Sequence, residues 1–318
     1  MATLQTVLGA IESEELGFTL SHEHVGTNAA GLRHTYPEII DREGIIEQST
    51  AALKEAYAEA GLRTIIDVST FDLGRDIGMI AEVSKQSGVN IVVATGNHLA
   101  VPRPFGEVSP DVIAPMFVRE IEEGIEDSGV KAAVIKVASD RGGITPPQEI
   151  VLRAAARAHH RTGAPISTHT WSPDRVGDQQ VAILEEEGVD MERVYIGHSN
   201  DDTEMDYLLG LLDKGVWLGL DRYPGGRVPG TPDWEGRTEI AWKLMQAGFT
   251  ERIMLSHDYS VPKARHGAEV QEERRLANPD GYNFIPRRVL PRLRELGATD
   301  GDIHQLMVVN PRKFFAGE

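Results

Sequence analysis

The chain contains no cysteine among its 318 residues. That absence excludes disulfides, thiolate metal ligands and a thiol nucleophile, while saying little about compartment. Basic residues are also in short supply: 32 Lys and Arg stand against 49 Asp and Glu, a formal net charge of −17. Nucleic acids and anionic membrane surfaces select for basic patches, so neither is an expected partner, and a small neutral molecule fits better. No apolar run approaches the roughly 18 residues of a membrane-spanning helix. The start, Met1 to Ala10, lacks a basic stretch followed by an apolar core, so a mature cytoplasmic protein is expected. No low-complexity linker interrupts the sequence, and residues 1–318 are expected to form a single domain.

What the chain does have is a repeated unit. Short apolar runs recur at 16–21, 62–68, 89–95, 132–137, 164–168, 193–197, 215–221 and 252–257, separated by amphipathic stretches such as Ile45 to Ala56. Several of these stretches stop at a glycine just before the next run, at Gly61, Gly88, Gly163, Gly188 and Gly215, where a left-handed helix cap is called for. Strands alternating with helices imply parallel pairing, and eight such units predict an α/β fold of the (β/α)8 TIM-barrel type. A length of 318 residues suits it, since such barrels need about 250 residues plus insertions.

The C-terminal ends of the runs carry the chemistry. His22 and His24 follow the first run at a spacing of two, which places both imidazoles on one face of a strand. Lys136, His169, His198 and Asp258 each close a later run. Any one of these histidines alone would read as a hydrogen-bonded barrel residue. Together they fall where a barrel builds its active site. With thiols absent, nitrogen and oxygen must hold any metal, and this donor set exceeds the three protein ligands usual for one catalytic ion. It predicts two divalent ions per chain, with zinc expected and cobalt, manganese or iron as alternatives. Lys136 at the end of a buried run loses its proton readily, and its neutral amine can take up carbon dioxide as a carbamate that bridges the pair.

Neighbouring residues receive duller readings. Glu23 points away from its histidine neighbours and reads as structural; His257 alternates away from Asp258 and is expected to pack or to support the site from behind. His159 and His160 lie in an alanine-rich helix and read as surface or helix-packing residues, while Asp67 is either a hydrogen-bonding group at the barrel mouth or has no functional part.

Thr19-Leu20-Ser21-His22-Glu23-His24, Val134-Ile135-Lys136, Ile196-Gly197-His198 and Asn310-Pro311-Arg312-Lys313-Phe314-Phe315 resemble the phosphotriesterase-like branch of the amidohydrolase superfamily, over nearly the whole chain. The resemblance implies that His22, His24 and Asp258 hold a buried ion and His169 and His198 a more exposed one, with carbamylated Lys136 between them. Gly219-Leu220-Asp221-Arg222-Tyr223 and Ser256-His257-Asp258-Tyr259 look like its lactonase subgroup. A binuclear lactonase acting on N-acyl homoserine lactones, and so interfering with bacterial signalling, is therefore expected, with weak phosphotriester hydrolysis as a side reaction and a homodimer as the assembly. The alternatives are a phosphotriesterase or carboxylesterase using the same site, and a metal-binding barrel without turnover.

Three further roles are expected. Asp258 would carry the proton to the leaving alkoxide. Arg222, beside Asp221, would hold a carboxylate by two parallel bonds and so support the site. His98, in Thr95-Gly96-Asn97-His98, stands where the subgroup has a tyrosine; it would donate to the substrate or move onto the exposed ion as an extra ligand, titrating near neutrality, the duller alternative being a solvent-facing loop residue. The loops Gly96–Gly106, Pro224–Trp234 and 260–282 would line the mouth, the last carrying Lys263, Arg265, His266, Arg274 and Arg275 and so suiting a more polar lactone.

Overall fold

Two short strands precede the repeats. A computed structural model describes residues 2–226, 228–261 and 268–317. It begins with a hairpin of β1 (Thr3–Thr6) and β2 (Gly9–Glu12), paired antiparallel from Thr3 opposite Glu12 to Thr6 opposite Gly9. The sequence reading did not assign it, because each strand has only four residues and alternation over so short a span carries little signal.

All eight apolar runs then form strands: β3 (Phe18–Glu23), β4 (Leu62–Asp67), β5 (Asn90–Gly96), β6 (Val134–Ala138), β7 (Ile166–His169), β8 (Val194–Ile196), β9 (Trp217–Leu220) and β10 (Ile253–Leu255). They pair in sequence order, each parallel to the next, in a nearly closed barrel. The seam between β10 and β3 is stitched by Asp258 N donating to His22 O at 3.1 Å and His24 N donating to Tyr259 O at 2.9 Å. The Glu23 carboxylate reinforces it, accepting from Ser256 Oγ at 2.6 Å, His257 N at 2.9 Å, His257 Nδ1 at 2.7 Å and Tyr259 N at 3.0 Å. Glu23 is thus fully engaged in closing the barrel.

Helices fill the crossovers: α1 (Leu32–Thr35) and α2 (Arg42–Ala60), then α3 (Ile77–Ser87), α4 (Pro110–Glu122), α5 (Pro146–Thr162), α6 (Val176–Glu186), α7 (Met205–Asp213) and α8 (Trp234–Leu244). After β10 come α9 (Ala268–Ala277), α10 (Leu290–Leu296) and α11 (Asp300–His304). Side-chain caps start several of them, as where Asp41 accepts from Gly44 N and Asp76 from Met79 N. The five glycines expected to end helices all have positive φ, from 71° at Gly61 to 91° at Gly215. Among the described residues no helix is long and apolar enough to cross a membrane.

Strand alternation divides the apolar residues into two sets. Ile65, Val93, Ile135, Val137, Val194, Ile196, Leu218 and Leu255 face the helices, in one large cluster. Ile66, Val92, Ala94, Val134, Tyr195, Trp217 and Met254 turn inward and pack with Leu4, Leu16, Phe314 and Phe315. The hairpin and the C-terminal phenylalanines therefore plug the end of the barrel where the strands begin. The opposite end is left to polar side chains.

Candidate metal centre

The inward-facing positions beyond the plug are polar. Lys136 follows Val134 on the inner face of β6, and His169 ends β7. Between Leu20 and Glu23, β3 carries one residue more than β4 opposite it, a bulge that turns both Ser21 and His22 inward. His198 and Asp258 lie just past β8 and β10 in left-handed conformations, with φ of 61° and 51°. That conformation costs a non-glycine residue of order 1–3 kcal/mol. It is held by His198 N donating to Asp221 Oδ1 at 2.7 Å and by the bond from Asp258 N to His22 O.

All six expected ligands converge. His24 Nε2 lies 3.2 Å and His22 Nε2 3.6 Å from Asp258 Oδ1, while Lys136 Nζ is 3.3 Å from His22 Nε2. His198 Nε2 and His169 Nδ1 face each other at 2.8 Å. The donor atoms of His22, His24 and Asp258 all lie within 4.8 Å of one another, as do those of His22, His198 and Asp221. Asp221 is better read as an orienting group than as a ligand. Its Oδ1 accepts from His198 N and Nδ1, at 2.7 and 2.8 Å, and its Oδ2 accepts from Tyr195 OH at 2.9 Å. Oδ2 also lies 2.9 Å from His22 Nδ1, without the alignment of a hydrogen bond. Ser69 Oγ, 2.8 Å from His24 Nδ1, orients the third imidazole. With Nδ1 of His24 and His198 so engaged and Nδ1 of His22 turned toward Asp221, Nε2 of each is left for the centre.

Electrostatics favour the ligand forms. Burial pushes the Lys136 ammonium down to about 7, against the opposing pull of Asp221 and Asp258. Burial likewise lowers His169 to about 4 and depresses His22 and His198, so these imidazoles are neutral at pH 7. For Asp258, burial works against ionisation but is outweighed by His198, His24, His22 and Arg222, which hold the carboxyl well below its usual range. Neutral imidazoles, a carboxylate and a lysine ready to lose its proton form an all-nitrogen-and-oxygen set that fits borderline divalent ions.

Two expected details differ in the structure. Arg222 does not fork onto a single carboxylate: its Nε reaches Asp258 Oδ2 at 3.4 Å and its Nη1 donates to Asp201 Oδ2 at 2.6 Å. Asp221 is already filled by histidine and tyrosine donors, so the guanidinium spans two other carboxylates. Asp201 is in turn held by buried Arg237 of α8, whose Nη2 lies 2.7 Å from Oδ1. Nor does His98 titrate near neutrality: burial, then the neighbouring His169, Lys136 and His24, push it far down, so the ring stays neutral. It stands edge-on to His169 with centroids 4.8 Å apart, and its buried Nδ1 has no hydrogen-bond partner. Asp72 holds its loop, accepting from His98 N at 2.9 Å and Ala100 N at 3.1 Å.

Other residues take quieter places. His257 joins Glu23 to Ile285 N, which donates to His257 Nε2 at 3.2 Å. Asp67 accepts from Val25 N and Ser69 N, at 2.7 and 2.8 Å, and so fixes the loop after β3. His159 is buried in α5 against Ala164 O, and exposed His160 lies 2.8 Å from Glu187 O. Sequence reasoning missed Tyr195, Asp201, Ser69 and Arg237; only the inward parity of Tyr195 on β8 was there to be read.

Two hollows adjoin Asp258. One, of about 210 Å³, lies among Asp201, Arg222, Tyr223, Val228 and Thr231. The other, a groove of about 1250 Å³, runs from Asp258, Tyr259 and Ser260 past α9 to Glu55 of α2. Arg274 and Arg275 line this groove, and Arg275 is paired with Glu272. Lys263, Arg265 and His266 lie outside the described residues.

The sequence matches the model of the phosphotriesterase family over residues 2–315. It is 40% identical over 326 residues to a phosphotriesterase homology protein of Mycobacterium tuberculosis, covering 99% of this chain and 98% of that one. It is 35% identical over 309 residues to an aryldialkylphosphatase of Saccharolobus solfataricus, covering 96% and 97%. The structure matches that of the phosphotriesterase from Mycobacterium tuberculosis with a TM-score of 0.90 at 39% identity, covering 98% of each chain.

Proposed function

The chain belongs to the phosphotriesterase family, and from that membership we propose that it is a two-metal lactonase, with N-acyl homoserine lactones as principal substrates and phosphotriesters as slow ones. The observation that carries this reading is the convergence of four imidazoles, the Asp258 carboxylate and buried Lys136 at the strand ends. His22, His24 and Asp258 would hold one ion and His169 and His198 the other, with Lys136 as a carbamate between them. When bound, the ions would lower the pKa of a water and polarise the ester carbonyl.

The chain's own groups supply the remaining steps. Hydrolysis forms a bond from water oxygen to the carbonyl carbon, breaks the ring carbon–oxygen bond and leaves a hydroxy acid. Asp258, ionised under its histidine and Arg222 neighbours, takes the proton from water and passes it to the departing alkoxide. His98, neutral and with an unpartnered nitrogen beside His169, donates to the substrate oxygen. The groove leading away from Asp258 accommodates the acyl chain, and its charged lining suits polar substituents on that chain. A homodimer in the cytoplasm is part of the same proposal.

The name of the Saccharolobus solfataricus relative supports a second reading, in which phosphotriesters are the principal substrates. Metal analysis with kcat/KM on a panel of homoserine lactones and an aryl dialkyl phosphate separates the two. Two ions per chain and a preference for lactones are expected. A preference for the phosphotriester would replace the first reading with the second, and one ion per chain at full activity would overturn the two-metal assignment.

A further inference from the structure

We propose that Tyr195 is a positioning residue for both halves of the metal centre, acting through the one carboxylate that the two halves share. The inference rests on the two-ion reading above and adds a residue to it.

Tyr195 is the only residue of β8 whose side chain joins the inner cluster; Val194 and Ile196 face the helices. Its ring packs on Phe314 of the plug, with centroids 5.8 Å apart. Its hydroxyl reaches the opposite way, donating to Asp221 Oδ2 at 2.9 Å. Because its one proton is committed there, Ser21 Oγ, 3.0 Å away, must donate to the tyrosine oxygen. The chain Ser21–Tyr195–Asp221 is wholly buried.

Asp221 is where the halves meet. Oδ1 accepts from the backbone and ring of His198, which belongs to one donor group, while Oδ2 lies 2.9 Å from Nδ1 of His22, which belongs to the other. The hydroxyl fixes the rotation of this carboxylate and draws charge from it. It thereby sets how strongly each imidazole is polarised at the Nε2 atom facing the centre. Space for the ring is made by Gly219: a Cβ there would come within 2.5 Å of Tyr195 OH and Cε1. No side chain could replace that glycine without moving the hydroxyl off Asp221.

Tyr195→Phe removes only the hydroxyl and keeps the ring on Phe314. Metal-stripped protein titrated with zinc against a chromogenic chelator reads affinity directly, independently of turnover. The expected result is a loss of about tenfold in affinity at both sites, the lower end of the range for groups that orient ligands. Ser21→Ala, which weakens the tyrosine's bond without removing it, is expected to lose about threefold. Either loss confined to one site, or affinities unchanged while melting temperature falls equally with and without zinc, overturns the proposal and leaves Tyr195 a packing residue. Should Tyr195→Phe not fold, unchanged affinity in Ser21→Ala overturns it equally. An unsubstituted chain that binds no zinc overturns this proposal and the two-ion reading together; two ions bound with unaltered affinity in the variants overturns this one alone.

Discussion

The two ends of the barrel are built from the same strands and obey opposite rules. On β6, inward Val134 lies in the plug and inward Lys136 lies among the metal-site residues, one step of about 7 Å along the strand. On β9 the inward series runs from Trp217, through Gly219, to Asp221. At the lower end the packed side chains are mainly apolar and their contacts non-directional, so stability there comes chiefly from area removed from water. At the upper end directional bonds hold most of the buried polar groups, because an unpaired one is costly. The comparison teaches that this fold separates stability from chemistry by distance along the strands, with Tyr195 as the side chain that touches both.

The strongest way to break the upper end alone is Lys136→Ala. Activity is expected to fall about 10³-fold, equivalent to about 4 kcal/mol of transition-state stabilisation, with partial rescue by short carboxylates that fill the gap. Steady-state kinetics with and without propionate checks this, and a variant of near-normal activity would remove Lys136 from the mechanism. The mirror experiment is Phe314→Ala in the plug, expected to cost about 3–5 kcal/mol in urea unfolding. Turnover per folded, metal-loaded molecule should hardly change. If turnover collapses while the protein stays folded, the two ends are not separable.

A pH series on metal-free protein sharpens the contrast further. His169 is lowered to about 4 and Lys136 to about 7 in the folded chain, each below its ordinary value, so the unfolded state binds more protons at these groups. Stability therefore rises with pH, between about 4 and 6.5 for the histidine and from about 7 upward for the lysine. Buried Tyr195, Tyr223 and Tyr282, all raised, reverse the trend above about pH 10. Lys136→Met should flatten the segment from 7 to 10 while Phe314→Ala shifts the whole curve down without changing its shape. Melting temperature against pH decides, and a Lys136→Met curve parallel to the parent would contradict the assignment.

The smallest expected effect is at the rim. His98→Tyr retains a donor and should keep much of kcat/KM, whereas His98→Ala should lose several-fold, about 1 kcal/mol. Equal values for all three proteins on the best lactone would exclude His98 from substrate contact.

The strands and the six converging donors were legible in the sequence because a barrel strand is a local object. A run such as Val194-Tyr195-Ile196 is apolar because both its faces are buried, and the residue that ends it falls at the mouth whatever its neighbours are. Glu23 was legible as structural from parity alone. The partner of Arg222 was not, since Asp201 and Asp258 are 21 and 36 residues away and nothing local says which carboxylate is free to accept.

The sequence by itself determined the repeat, the strand ends and the identity of the donors, since periodicity and composition act over a few residues. Only the tertiary structure decided that one buried carboxylate, Asp221, serves histidines from β3 and from the end of β8, that Glu23 and Ser256 close the seam across 233 residues, and that the hairpin and Phe314 plug the opposite end. Those choices depend on which groups remain unsatisfied once the strands have paired, and that competition exists only in the closed barrel.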